Sequence, residues 1–311
     1  MTDFYERPYR DGDAAAVAEL INAVAAAGGG PGGHAPSDVD DVVRHEVADP
    51  SADTLLVVDG DGRLAGVGLV PLPPAGGHRL ELIGGVHPDR RGAGLGRRVL
   101  AWQLERAAAR HAEVAPDASW AAQVVTGVAD APTLRLYEHF GFTVARHFLE
   151  MSAPTTSPPT VTPLDGLKLQ QYHGSEERQV HALHNTAFQD LWGFQPRTFD
   201  AWAALTVASA TFRPDLSRVA VAGDAIVGYL LAYGSDTPGR VYIGQLGTDA
   251  AWRRRGIASA LLADVLDAAG RAGYTHAALD ADADNPTGAV ATYARSGFTV
   301  DQHVIAFHRP V

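Results

Sequence analysis

Leu80-Glu81-Leu82-Ile83-Gly84-Gly85-Val86 leads into Arg91-Gly92-Ala93-Gly94-Leu95-Gly96. The pattern returns as Val241-Tyr242-Ile243-Gly244-Gln245-Leu246-Gly247, followed by Arg253-Arg254-Arg255-Gly256-Ile257-Ala258. Each copy reads as an apolar strand, a basic loop of small residues and the start of a helix. Such a junction leaves backbone N–H groups without partners at the helix start, where the helix dipole favours an anion. Each copy is followed by Tyr-x-x-x-Gly-Phe, at Tyr137 to Phe142 and Tyr293 to Phe298. The two tyrosines stand almost as far apart as the two loop glycines, so the chain is an internal duplication with one anion cradle expected in each half.

The 311 residues suffice for two domains, and an apolar content of 46% is that of a globular protein. The absence of cysteine removes disulfides, thiol nucleophiles and cysteine metal sites. The first residues lack the apolar core of a signal peptide, and no apolar run approaches the roughly 20 residues of a membrane helix. A cytoplasmic protein without membrane association is the expectation. A net charge of −11, with Lys168 the only lysine, argues against nucleic-acid binding.

Working outward from the loops, the first half reads as a strand over 4–10 and helices to about Ala27 and over 37–47. The hairpin signal Asp59-Gly60-Asp61-Gly62 follows, then the strand ending near Val86 and a helix from Gly94 to about His111. A strand over 120–126, a helix over 132–140 and a final strand over 142–151 complete it. The second half repeats the order, with strands over 167–172, 218–222, 225–233, 241–247, 276–281 and 298–307. Its helices are expected over 176–188, 198–208, 257–272 and 286–295. Ala153 to Pro163, rich in proline and hydroxyl residues, reads as a linker. The expected division is therefore domain 1–152, linker 153–166 and domain 167–311.

These signatures resemble the GCN5-related N-acetyltransferase superfamily, in two tandem copies covering nearly the whole chain. The resemblance implies an α/β (α+β) fold, each domain a mixed, mostly antiparallel sheet splayed in the middle and flanked by helices. It implies acetyl-CoA held in the splay and transfer to the primary amine of a small molecule in a ternary complex, by a monomer or homodimer. In the second half the cradle would comprise Leu246, Gly247, Thr248, Arg253, Arg254, Arg255, Gly256, Ile257, Ala258, Ser259, Asn285 and Tyr293. In the first half it would comprise Val86, Arg91, Gly92, Ala93, Gly94, Leu95 and Gly96. Small residues there let the backbone approach a pyrophosphate, and arginines add attraction. No Gly-Lys-Ser/Thr follows, so this is not a nucleoside-triphosphate loop.

By the same resemblance, a bulge late in the fourth strand places a carbonyl-polarising amide near Leu246 or Gly247, with the first-half equivalent near Gly84 or Gly85. Tyr293 would protonate the departing thiolate; the alternative for it, and more evenly for Tyr137, is a ring packed against the sheet. The second half has Asn285 where the first has Val128-Ala129-Asp130-Ala131, which makes the second the more complete site and the first a degenerate copy with its cradle retained. No carboxylate lies in Arg240 to Gly247, whereas the first half has Glu81. Tandem members of the superfamily that make mycothiol would carry a glutamate there, so mycothiol synthesis is not the first expectation. Asp280 and Asp282 share a strand face and are substitute bases, or else solvated charges; Tyr242 is a further cleft candidate. Trp192-Gly193-Phe194 is either an acceptor wall or packing beneath the linker. His181 and His184 read as surface or capping residues, and no metal site is expected. The rival readings are a CoA-binding sensor without turnover, a resistance or tailoring enzyme modifying an amine-bearing natural product, a mycothiol-synthase-like enzyme, and a protein N-acetyltransferase.

Overall fold

The apolar run before the first loop is two strands rather than one. In the computed structural model, which describes residues 3–28, 32–75, 77–128, 130–160, 164–189 and 191–311, Arg79–Glu81 and Ile83–Val86 flank a buried Leu82. The first half contains β1 (Phe4–Arg7), α1 (Ala14–Gly28), α2 (Pro36–His45), β2 (Thr54–Asp59), β3 (Leu64–Leu69), β4 (Arg79–Glu81) and β5 (Ile83–Val86). It continues with α3 (Leu95–Val114), β6 (Ala121–Gly127), α4 (Ala131–His139) and β7 (Thr143–Pro154). The second half contains β8 (Lys168–Gln171), α5 (Glu177–Phe188), α6 (Phe199–Leu205), β9 (Arg218–Ala222), β10 (Ala225–Gly234) and β11 (Arg240–Thr248). Then come α7 (Ile257–Arg271), β12 (His276–Asp282), α8 (Ala289–Arg295) and β13 (Thr299–Pro310). No helix among the described residues is long and apolar enough to cross a membrane.

The break at Leu82 arises because its two sides pair with different neighbours. β5 is antiparallel to β3, while β4 runs parallel to β6. In the second half β11 is continuous, yet it pairs with the parallel β12 only over Arg240–Tyr242. From Ile243 onward it remains bonded to β10 alone. Each half therefore has the expected splay, and alternate peptide groups of residues 243–248 face the gap.

Two compact units result, but they are not the two contiguous halves expected from sequence. One is Met1–His147 with His303–Val311, and the other is Phe148–Gln302. β7 leaves the first half to pair antiparallel with β12, from Phe148↔Asp282 to Pro154↔His276. β13 returns the exchange, pairing with β6 from Val304↔Gly127 to Pro310↔Ala121. β7 buries the alternating Leu149, Met151 and Ala153, and β13 buries the run Val304 to Phe307; neither pattern says which edge a strand will join. The expected linker is shortened for the same reason: Ala153 and Pro154 are strand residues, and Thr155 is buried with its N–H on the Thr275 carbonyl. Residues 29–31 of the expected glycine break, residue 129 and residues 161–163 of the expected linker lie outside the described residues.

In the second unit α7 packs Ile257, Leu261, Leu262, Val265 and Leu266 against Leu149, Met151, Val241, Ile243 and Leu279 on one sheet face. The opposite face is covered by α5 and α6, whose Val180, Leu183 and Trp202 meet Tyr229 and Leu231. Each such aliphatic side chain, fully buried, stabilises by about 1.5–3 kcal/mol, which anchors α7 on its sheet. In the first unit, β2 reads as a continuous apolar run because both its faces are covered. Leu56 packs toward α1 and α2, and Leu55 and Val57 toward α3.

Candidate active site

The two loops share their backbone path in detail. Each follows a single 3-10 turn, Pro88–Arg90 or Ala250–Trp252, and each ends in an N-cap glycine in the left-handed region, Gly94 at φ 80° and Gly256 at φ 85°. Two residues earlier, Gly92 stands at φ 84° and Arg254 at φ 62°. Arg254 is the only non-glycine residue with positive φ among the described residues, a conformation that costs on the order of 1 kcal/mol. Neither α3 nor α7 receives a side-chain cap or carries an acid in its first turn. Their first N–H groups have no protein acceptor at the cap and suit an anion.

In the second unit these amides open onto a cavity of about 1290 Å3. Its wall includes Leu246, Gly247, Thr248, Arg253, Arg254, Gly256, Ile257, Ala258, Ser259, Asn285 and Tyr293. Tertiary folding thus gathers eleven of the twelve residues expected to form the second-half cradle; Arg255 instead lies over the Trp252 ring, 4.6 Å from its centroid. The β11 bulge falls at Gly244, where the register slips between Leu231↔Gln245 and Ala232↔Ile243. It lies two residues before the expected Leu246, and Gly244 is kept small there, since a Cβ would come within 2.6 Å of the Tyr233 ring. Gly247 is equally constrained, since a Cβ would meet Tyr229 Cε1 at 2.4 Å. Asn285 uses Oδ1 to cap Thr287 N at 2.8 Å, which holds the loop before α8.

Two arginines expected to face the phosphate turn inward. Arg253 donates to the carbonyls of Ala187, at 3.0 Å, and Thr248, tying the end of α5 to the loop. Arg91 pairs at 3.1 Å with Asp130, a buried carboxylate that also accepts from Thr133 N. The end of α1 reaches the same place, because a Cβ on Gly28 would lie 2.6 Å from Asp130 Oδ2. The first loop keeps the shape of a cradle, yet its neighbouring charge is a protein carboxylate. At Gly96 the small residue is required by packing, with Leu136 Cδ2 3.3 Å from a would-be Cβ.

Tyr293 borders the cavity with its ring against Phe298, and its hydroxyl makes no hydrogen bond among the described residues. Burial pushes its pKa up to about 12, so the phenol stays protonated at neutral pH. Tyr137 differs: its ring is wedged between Phe142 and Phe307 at 5.7 and 5.6 Å, the arrangement of a packed core tyrosine.

Asp280 and Asp282 both border the cavity, as their shared strand face requires. Tyr242 donates its hydroxyl to Asp280 Oδ2 at 2.8 Å. Glu81 in the first unit is exposed and paired with Arg79 at 2.7 Å. Missing from the sequence-derived set is Glu150, which sits opposite Asp280 in the β7–β12 register. Burial, reinforced by the Asp280 charge, raises its pKa to about 7. No local signal identifies it, because β7 precedes the linker and its partner strand is 130 residues away in sequence.

Trp192 and Phe194 line the cavity, with Trp192 6.0 Å from Phe148 and Phe194 5.7 Å from His184. They are walls of the cavity rather than packing beneath a linker. His181 and His184 are partly buried rather than surface residues. His181 Nε2 is 2.9 Å from the Arg197 carbonyl, and His184 Nδ1 is 2.8 Å from the Tyr229 hydroxyl. Burial lowers the His184 pKa to about 4, which keeps its ring neutral. Among the described residues no cluster of His, Cys, Asp and Glu could hold a metal ion.

Residues 178–298 match the model of the Acetyltransferase (GNAT) family, and residues 51–144 match a second model, the Acetyltransferase (GNAT) domain. Over 275 residues the chain is 31% identical to a mycothiol acetyltransferase of Mycobacterium sp. (strain MCS), covering 84% of each protein. The structure is similar to that of a GCN5-related N-acetyltransferase from Sphaerobacter thermophilus, with 30% identity, TM-score 0.77 and coverage of 99% of this chain and 95% of that one. The fold is also that of a tandem GNAT protein from the clavulanic acid biosynthesis pathway, with 18% identity, TM-score 0.73 and 99% and 98% coverage.

Proposed function

This chain belongs to the GNAT family of acetyltransferases, and from that premise we propose that its second unit transfers the acetyl group of acetyl-CoA to the primary amine of a small molecule. The observation that carries this reading is the uncapped start of α7, which opens onto the same cavity as Tyr293 and the unpaired edge of β11. The α7 amides suit the two charges of a pyrophosphate, and the gap beyond Tyr242 suits the pantetheine arm. When bound, the thioester supplies an electrophilic carbonyl next to a leaving thiolate. The chain's part is to hold that carbonyl against a β11 amide on the unpaired stretch that follows the Gly244 bulge, near Leu246 or Gly247, and to offer the Tyr293 proton to the sulfur. With no cysteine available to carry the acyl group, direct attack in a ternary complex is the simplest course.

The first unit is proposed as a scaffold. Its loop is shaped for an anion, but Asp130 already brings a carboxylate to Arg91, and Tyr137 is part of the core. Titration calorimetry is expected to find one acetyl-CoA per chain; two would restore a CoA role to the first unit. Ala258→Glu puts bulk and negative charge at the start of α7 and is expected to weaken acetyl-CoA binding at least about tenfold, the effect of about 1.4 kcal/mol. Unchanged affinity would remove α7 from the cofactor site.

The test of the activity is thiol release from acetyl-CoA against a panel of amines, with product identified by mass. The mycothiol acetyltransferase relatives put the unacetylated precursor of mycothiol first in that panel, and aminated natural products second. Tight acetyl-CoA binding with no amine acetylated would favour a CoA sensor instead.

A further inference from the structure

The fourth strand of the second unit, Arg240–Thr248, carries no carboxylate, yet the cavity is not without one. Asp280 and Asp282 reach it from β12, and behind Asp280 stands Glu150 on β7. Directly opposed residues of an antiparallel pair project to the same face with Cβ atoms about 4.5–5.5 Å apart. Phe148, two residues from Glu150 on that face, stacks against Trp192 at the cavity wall, which fixes the direction in which this face points. Tyr242 comes in from β11 and holds Asp280 at 2.8 Å.

We propose that Asp280 takes the proton of the acceptor ammonium and that Glu150, delivered by the terminal strand of the other half, is the positioning residue that lets it do so. This proposal rests on the acetyl-transfer reading above. An exposed carboxylate alone is too acidic to accept an ammonium proton effectively at neutral pH, since the best base titrates near the working pH. Two carboxylates sharing one face cannot both ionise cheaply, so the pair retains a proton near neutrality. Glu150 has the environment for that role. It is half-buried, accepts from the Gln302 side chain, and has its pKa raised to about 7 chiefly by burial. The Asp280 and Asp301 charges add to the rise, while Arg240 opposes it; Arg240 is itself paired with Asp301 at 3.1 Å. Tyr242, its own pKa raised by burial and by Asp280, stays a hydrogen-bond donor to the pair throughout this range.

The proton count closes. The nitrogen–carbonyl bond forms and the carbon–sulfur bond breaks. Of the two protons the nitrogen gives up, one leaves through the Asp280–Glu150 pair to solvent. The other replaces the proton that Tyr293 has given to the sulfur.

The experiment compares pH profiles of kcat/KM for the wild type, Glu150→Gln, Glu150→Asp and Asp280→Asn, with acetyl-CoA affinity measured on each. Wild-type activity is expected to rise with pH through an apparent pKa near 7, because the pair must be deprotonated to act. Glu150→Gln is expected to shift that limb down by more than one pH unit and to lower kcat/KM at pH 7 about 10-fold or more. Glu150→Asp should restore part of both, and affinity for acetyl-CoA should not change. Asp280→Asn, at an exposed position, should lose about 10²-fold and serves if the Glu150 variants fail to fold. A Glu150→Gln enzyme with the wild-type limb, or an Asp280→Asn enzyme at wild-type rate, overturns the proposal while leaving acetyl transfer intact. A wild type that acetylates no amine overturns both.

Discussion

Tyr293→Phe is expected to lower kcat about 10²-fold while changing acetyl-CoA affinity less than about threefold. The substitution removes one oxygen and keeps the ring against Phe298, so packing is preserved. The hydroxyl has no protein partner among the described residues, so its loss leaves no buried group stranded. Burial raises the pKa from 10 to about 12, and the raised value means the acid form is complete below pH 10 and is lost as pH climbs through 12. Above the rise near pH 7 and up to about pH 10, a plateau of wild-type kcat with no alkaline fall from this group is therefore expected. Steady-state kinetics against whichever amine turns over decides the matter: wild-type kcat in Tyr293→Phe would leave the thiolate to be protonated by solvent. Tyr137→Phe is expected to change kcat less than twofold, because that ring is held in the first unit's core.

The second large effect concerns the exchanged strands. Residues 1–166 expressed alone should fail to fold cooperatively, because they lack His303–Val311 of their own unit. Without β13, the seven-residue ladder on β6 is gone, and so are the buried side chains of Val304, Ile305 and Phe307. At about 1.5–3 kcal/mol for each large side chain, the loss is comparable with the roughly 5–15 kcal/mol that stabilises an ordinary domain. Residues 167–311 fail for the complementary reason, lacking Leu149 and Met151 beside Leu279. Co-expression of the two pieces should restore both circular dichroism and activity. A monomeric 1–166 fragment with a sharp thermal transition would mean that β7 folds back onto β6 once β13 is absent, and that the exchange is not needed for folding.

Much of this protein was legible before its structure. The loop glycines marked where the two helices begin, and α3 and α7 start directly after Gly94 and Gly256; their left-handed backbone, which glycine adopts most readily, was seen only in the structure. The duplication, the family and the cavity-lining role of Tyr293 and Asn285 followed from spacing and resemblance. The arginines were less legible. Charge and position along the chain suggested that Arg91 and Arg253 attend an anion, but a long side chain goes wherever its fork finds acceptors. The Asp130 carboxylate and the Ala187 carbonyl were closer.

By itself the sequence determined the local geometry: two strand–loop–helix junctions and the repeated order of strands and helices in each half. These depend on periodicity and on backbone sterics within a few residues. Only the tertiary structure decided which terminal strand completes which unit, and with it that Glu150 stands opposite Asp280, a residue of the cavity wall. Strand alternation states which side chains face inward and carries no address for the neighbour. That choice is made by the whole sheet, when two edges compete for the same apolar strand.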